Sequence, residues 1–141
     1  MKIIAKLLSL ILVSAFAIFL IACKKDKITK TNWIAPNYSM YEHSMSFVTQ
    51  VSLSKKITNN TNVEISAFCG EECRGWTKLV YDDDVQKTLC FLTIYSNIGR
   101  GEIIEIKVFD PIKGVIYNNA TTLIFESNAS MGTSDDVLTC K

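Results

Sequence analysis

The chain has 141 residues, with 15 Lys and Arg, 14 Asp and Glu, one His and a formal charge of +1. That length suffices for one domain with its own core and is too short for two. Basic and acidic residues are interleaved, so no basic field gathers nucleic-acid phosphates, and the single histidine, His43, excludes a multi-histidine metal centre.

The first element is an export signal. Lys2 and Lys6 precede Leu7 to Ala22, sixteen residues without a charge. The run suits a signal-peptide apolar region better than a membrane span of roughly 20 residues. It ends Leu20-Ile21-Ala22-Cys23, in the manner of a lipobox: branched apolar residues, a small residue, then cysteine. The thiolate accepts a diacylglyceryl group, and small Ala22 admits the peptidase to the bond before Cys23. Residues 1–22 are therefore expected to be a cleaved lipoprotein signal peptide, with Cys23 the lipidated first residue of the mature chain. Several acyl chains hold a protein stably where one holds it marginally, which makes the membrane an expected partner. Loss of Lys2 and Lys6 leaves 13 basic against 14 acidic side chains, a charge of about −1.

Residues 23–43 read as a tether and lead-in. Lys24 to Asn32 is polar and aperiodic, as a flexible linker is. Its lysines also suit anionic headgroups, although a solvated linker is the simpler reading. Trp33, Tyr38 and Tyr41 follow in an irregular aromatic-rich stretch that is read as an edge strand or a cover for the domain end.

From residue 44 to 141 the dominant period is two. Met45, Phe47, Thr49, Val51 and Leu53 share one face, and Val63, Ile65 and Ala67 alternate with Glu64 and Ser66. Trp76 to Tyr81 predicts a further strand before the turn Asp82-Asp83-Asp84. Thr88 to Ser96 is nearly continuous in apolar residues and predicts a strand buried on both faces. Ile104, Ile106 and Val108 stand opposite Glu105 and Lys107. Asp110-Pro111-Ile112-Lys113-Gly114 is a turn, followed by short strands at Val115 to Tyr117 and Thr121 to Phe125 and an edge strand at Asp136 to Thr139. Short strands without long crossovers predict an all-β, antiparallel, Ig-like β-sandwich.

Four motifs in this region carry a resemblance. They are Ala67-Phe68 with Glu72-Cys73-Arg74-Gly75; Phe91-Leu92-Thr93-Ile94-Tyr95-Ser96-Asn97; Gly101-Glu102-Ile103-Ile104 with Lys107-Val108-Phe109-Asp110; and Phe125, Asn128 and Gly132. Over residues 44–138 the chain resembles a β-sandwich module of Bacteroidetes surface and secreted proteins. Ser66 replaces a usual glycine and Cys69 is an added cysteine. The resemblance implies a β-sandwich in an envelope protein, brings no catalytic activity and leaves the ligand open.

Cys69, Cys73, Cys90 and Cys140 remain beside Cys23. An even number in an exported domain favours disulfides, and three connectivities are open. Pairing of Cys73 or Cys69 with Cys90 is expected, with Cys140 securing the tail if oxidised. The four-thiolate zinc alternative is disfavoured because C-x3-C is wider than the usual knuckle. A redox pair is disfavoured by the lack of C-x-x-C. The three adjacent aspartates lack the alternation of a calcium loop and read as a solvated turn. Arg74 is read either as a ligand-facing guanidinium or as a structural fork on carbonyls or a carboxylate such as Glu72 or Asp110. Trp33, Tyr38 and Tyr41 are the candidates for stacking on a glycan.

No nucleophile–histidine constellation or phosphate-cradling glycine loop is present. The expected function is a non-enzymatic lipoprotein at the outer membrane or elsewhere in the cell envelope, periplasmic-facing or surface-exposed. It would bind a glycan or protein ligand with no cofactor and no metal. The alternative is an accessory lipoprotein docking on another envelope protein.

Overall fold

The computed structural model describes residues 27–141; the expected signal peptide and Cys23 lie outside the described residues. Ten strands follow one three-residue 3-10 turn at Tyr38–Met40. They are β1 (His43–Leu53), β2 (Lys56–Ile57), β3 (Glu64–Cys69), β4 (Glu72–Lys78), β5 (Val80–Asp82), β6 (Lys87–Ser96), β7 (Arg100–Asp110), β8 (Val115–Glu126), β9 (Ser130–Met131) and β10 (Val137–Cys140). One sheet has the order β10-β1-β6-β5, with β2 and β9 also paired to β1; the other has the order β4-β3-β7-β8. The protein is an all-β sandwich.

Alternation supplies the core. Met45, Phe47 and Val51 of β1 and Leu92 and Ile94 of β6 face Ile65, Ala67, Ile104, Ile106, Val108, Leu123 and Phe125 of the other sheet. Full burial of such a side chain contributes about 1.5–3 kcal/mol relative to exposure, so these residues dominate the energetics of folding.

Four sequence expectations change. Strand β6 is half-buried, because Phe91 and Thr93 are exposed between buried Leu92 and Ile94. The two short strands after Gly114 are one, β8, which accommodates Asn119 at φ 54 and a shift in its register with β7. The strand expected at Trp76 to Tyr81 is two: β4 begins at Glu72 and ends at Lys78, and β5 follows from Val80 in the other sheet. Finally, the first sheet is not wholly antiparallel, since β9 and β10 both join β1 in parallel. These parallel pairs join segments far apart in sequence, so they need no local crossover. Gly132 makes the approach feasible: it sits at φ +74, and a Cβ there would meet the Val48 carbonyl oxygen at 2.2 Å.

The lead-in is docked on the domain. The Ile28 N–H donates to the Gly114 carbonyl at 3.2 Å, and Thr31 Oγ1 donates to Glu64. Trp33 then meets Phe68 edge-on with ring centroids 6.2 Å apart. None of residues 27–42 forms a strand, and residues 38–42 cover one end of the sandwich, as the cover reading has it. From Lys27 to Trp33 the expected free tether is a strap along the outer face of β3. It starts beside the β7–β8 turn and finishes at the opposite end of the sandwich. We call these the basal and distal ends. The basal end carries the β1–β2 and β7–β8 turns and the C-terminus. The distal end carries residues 38–42, the β3–β4 and β6–β7 turns and the β8–β9 loop.

Candidate functional site

The register of the β3–β4 hairpin shifts between Ala67 and Phe68, which pair with Gly75 and Cys73 respectively. Arg74 is the extra residue of this bulge, and a bulge re-aims a side chain. Here Arg74 turns into the distal end of the core. Its Nη1 donates to the Tyr95 carbonyl at 3.2 Å, and its Nη2 lies 3.3 Å from Glu102 Oε1. Its Nε is 3.0 Å from Glu72 Oε2, close enough for an ion pair but off line for a hydrogen bond. The side chains of Arg74 and Glu102 are only 12% and 13% exposed, whereas that of Glu72 is 55% exposed.

Around this pair the polar groups converge. Ser96 Oγ donates to Glu102, and Cys69 Sγ lies 3.5 Å from the same carboxylate. Tyr41 donates its hydroxyl to Glu72 at 2.6 Å, stacks on Tyr95 with centroids 6.0 Å apart, and has the Arg74 guanidinium 5.3 Å from its ring centre. Burial works against the Arg74 charge, but Glu102 and Glu72 outweigh it and stabilise the cation. The Tyr41 hydrogen bond, more than Arg74, holds the Glu72 carboxyl below its ordinary range. Arg74 thus fits the structural role: it pairs with Glu72 and donates to a carbonyl, as that reading expects, and its second carboxylate is Glu102 in place of Asp110. Asp110 instead caps its own turn by accepting from the N–H groups of Ile112 and Lys113.

Glu102 was not singled out from the sequence, although a signal for it exists. It falls in phase with Ile104, Ile106 and Val108, the inward-facing residues of β7. A carboxylate in an inward position requires a cation or donors.

The four domain cysteines are free thiols. Their expected pairings are not formed, and the register gives the reason. Cys69 pairs with Glu72 while Phe68 pairs with Cys73, so the two cysteines occupy opposite faces of the hairpin. Cys90 sits opposite Thr49 and Cys140 opposite Leu53, four residues apart along β1. That is about 13 Å of strand, whereas a disulfide requires Cα atoms within about 7 Å. Cys69 lies near Glu102 and Ser96, six residues along β6 from Cys90. Burial pushes the Cys90 thiol up to about 12 and the Cys140 thiol up to about 11. Cys69 and Cys73 are also raised, chiefly by burial. The expected result of alkylation without reductant is four modified domain thiols in denaturant. In the folded protein, Cys90 and Cys140 should react about tenfold slower or less, as suits high-pKa buried thiols. Peptide mass spectrometry makes the count, and a shortfall of two would reveal a disulfide.

The aromatic candidates separate. Trp33 is half-buried against Phe68, and Tyr41 is half-buried and bonded to Glu72. Tyr38 alone is freely presented, at 70% exposure. Met40, next to it on the 3-10 turn, is equally exposed. The turn is ordered by Asn37, whose side chain accepts from the Ser39 N–H and hydroxyl. Its C-terminal side is fixed by Tyr41, and then by the Glu42 N–H donating to Asn97 Oδ1 at 3.1 Å. That last bond brings the turn beside the β6–β7 loop, where Ile98 is 55% exposed. Sequence reading placed Tyr38 among the candidates but did not single out Met40 or Ile98, whose common location depends on the Glu42–Asn97 bond.

The remaining expected sites are local. Asp82 accepts from the N–H groups of Asp84 and Val85, the bonding of a polar turn. His43 Nδ1 lies 3.1 Å from Ser127 Oγ, which ties β1 to the β8–β9 loop. Comparisons with protein-family models, curated proteins and solved structures found no match.

Proposed function

We propose that this protein is a lipid-anchored cell-envelope lipoprotein whose distal end binds a glycan or protein ligand without catalysis. The observation that carries this reading is the exposed pair Tyr38 and Met40 on an ordered turn beside exposed Ile98. An aromatic ring and two apolar side chains on a fixed support form a small stacking and packing surface with little ordering entropy left to lose on binding. The polar cluster beneath, Tyr41–Glu72–Arg74–Glu102, is the platform for that surface. Lipidation at Cys23 is part of the proposal and rests on the lipobox.

A second reading, docking on another envelope protein, is favoured by a different feature. Ile103 and Ile124 lie directly opposite each other on β7 and β8 and are 60% and 57% exposed. Strand β8 is the edge of its sheet, and an open edge beside an apolar pair suits β-strand addition.

The test uses the mature lipoprotein in detergent against an array of glycans, matrix proteins and envelope proteins. Tyr38→Ala with Met40→Ala should weaken capture about tenfold or more, roughly 1.4 kcal/mol, while Ile124→Ser should leave it unchanged. Loss with Ile124→Ser alone would transfer the function to the β8 edge. Mass spectrometry of the mature N-terminus tests the anchor, and an unmodified, uncleaved Met1 peptide would defeat it.

A further inference from the structure

We infer that the basal end of the sandwich lies against an anionic lipid surface, with Lys27, Lys55, Lys56, Lys113 and Lys141 around exposed Ile57 and Ile112. The inference rests on the proposed lipid at Cys23 and adds an orientation to it.

The first support is the place where the strap begins. Ile28 is bonded to Gly114, and the Lys27 side chain lies where a Cβ on Gly114 would stand, with Cγ 2.1 Å from that position. Gly114, at φ +65, therefore gives the chain a seat at the basal end. Cys23 precedes Lys27 by four residues, which even fully extended reach no more than about 14 Å. A lipid on Cys23 holds the basal end close to the bilayer, whereas a seat at the distal end would have held the domain the other way up.

The second support is the charge found there. Lys113 borders three shallow hollows. One it shares with Lys56, Ile57 and Ile112, another with Lys55 and Lys141, and the third with Lys27 and Ile28. Among the described residues, the sole acidic side chain lining these hollows is Asp110, which is 3% exposed and engaged by the Ile112 and Lys113 N–H groups. The turn Asp82–Asp84 shares this end but follows β5, at the edge of the sheet opposite β10. The cations are therefore gathered on the side where the strap enters. Ile57 and Ile112 are 49% and 69% exposed among them. Long cationic side chains flanking apolar residues suit a headgroup layer, where the ammonium groups meet phosphates and the apolar groups sit deeper.

The orientation gives the distal surface its purpose. Strands of about 11 residues, such as β1, span the sandwich, so Tyr38 and Met40 stand roughly 35 Å from the bilayer at 3.3 Å per residue.

The experiment adds purified mature lipoprotein to preformed vesicles of phosphatidylethanolamine and phosphatidylglycerol, or of phosphatidylcholine alone. Lysines are acetylated with a water-soluble reagent and read by peptide mass spectrometry, with Lys107 on the middle of β7 as internal reference. In anionic vesicles Lys55, Lys56 and Lys113 should acetylate about fivefold slower or more than in detergent, and about 0.5 M salt should restore the rate. Little protection is expected in phosphatidylcholine. Lys55→Glu with Lys113→Glu should abolish the protection of Lys141 while leaving the melting temperature unchanged. Equal acetylation in anionic vesicles and detergent, with lipid present on Cys23, would overturn the orientation and leave the anchor standing. An N-terminal peptide without lipid would overturn both.

Discussion

Replacement of Arg74 by leucine is expected to lower the unfolding free energy by about 3–5 kcal/mol, the range for breaking a buried ion pair. Leucine fills much of the same space, so the loss would come mainly from charge. Glu102 would remain 13% exposed between Ser96 and Cys69 with its cation gone, and the Tyr95 carbonyl would lose its donor. Urea unfolding of the protein measures the effect as a lower midpoint with an unchanged slope. Two further variants separate the causes. Glu72→Gln removes a pairing carboxylate that is 55% exposed, and solvent-screened pairs contribute about 0–1 kcal/mol. Combining Arg74→Leu with Glu102→Leu removes both buried charges and should recover a large part of the loss. If Arg74→Leu shifted stability by less than Glu72→Gln does, the guanidinium would not be the brace described here.

The second large effect is expected at Gly75. A Cβ on this residue would lie 2.4 Å from the Thr93 carbonyl oxygen and 3.2 Å from Leu92 Cδ1. The first obstacle is backbone, so no rotamer change can relieve it. Strand β4 would have to move off the edge of β6, where Arg74 also bonds Tyr95. Overpacking of this kind costs about 1–3 kcal/mol and occasionally more, so Gly75→Ala should fall in or above that range. Gly99 supplies the comparison, because a Cβ there meets nothing nearer than His43 at 3.7 Å. Gly99→Ala should change stability by about 0.5 kcal/mol or less, as at an ordinary surface position. Equal effects at the two glycines would show that the sheets are not closed at the contact between β4 and β6.

Together these residues explain the motif Glu72-Cys73-Arg74-Gly75 without a ligand. Strand β4 belongs to one sheet, and its continuation β5 belongs to the other. Between them the chain must pass the edge of β6. Gly75 permits the approach, Arg74 occupies an edge carbonyl, and Glu72 and Glu102 balance the charge. A residue pattern that invites a binding role thus serves to shut the side and distal end of the sandwich.

How much of this could be read beforehand depends on the range of the interaction. The inward set Met45, Phe47, Val51 and the set Ile104, Ile106, Val108 are legible because a strand alternates its side chains whatever it pairs with. The turn at Asp110 to Gly114 is legible because Pro and Gly restrict or free the backbone locally. By the same local rule, Trp33, Tyr38 and Tyr41 are set apart together as aromatics outside the alternation, with nothing to single out Tyr38. Its exposure, and the burial of Trp33 and Tyr41 beside it, could not be read in this way. Those follow from Phe68, Glu72 and Tyr95, which reach them only when the strap lies on β3 and β4.

The sequence alone therefore determines the uncharged apolar run before Cys23, the near-neutral charge beyond it, the strand class and the division of most residues between core and surface. Tertiary structure decides the partner of Arg74, the separation of the four thiols, the parallel seating of β10 on β1 and the gathering of lysines at the basal end. Alternation and turn chemistry are carried by neighbouring residues. Register is carried by hydrogen bonds between strands far apart in sequence, and a shift of one residue exchanges every inward side chain for an outward one.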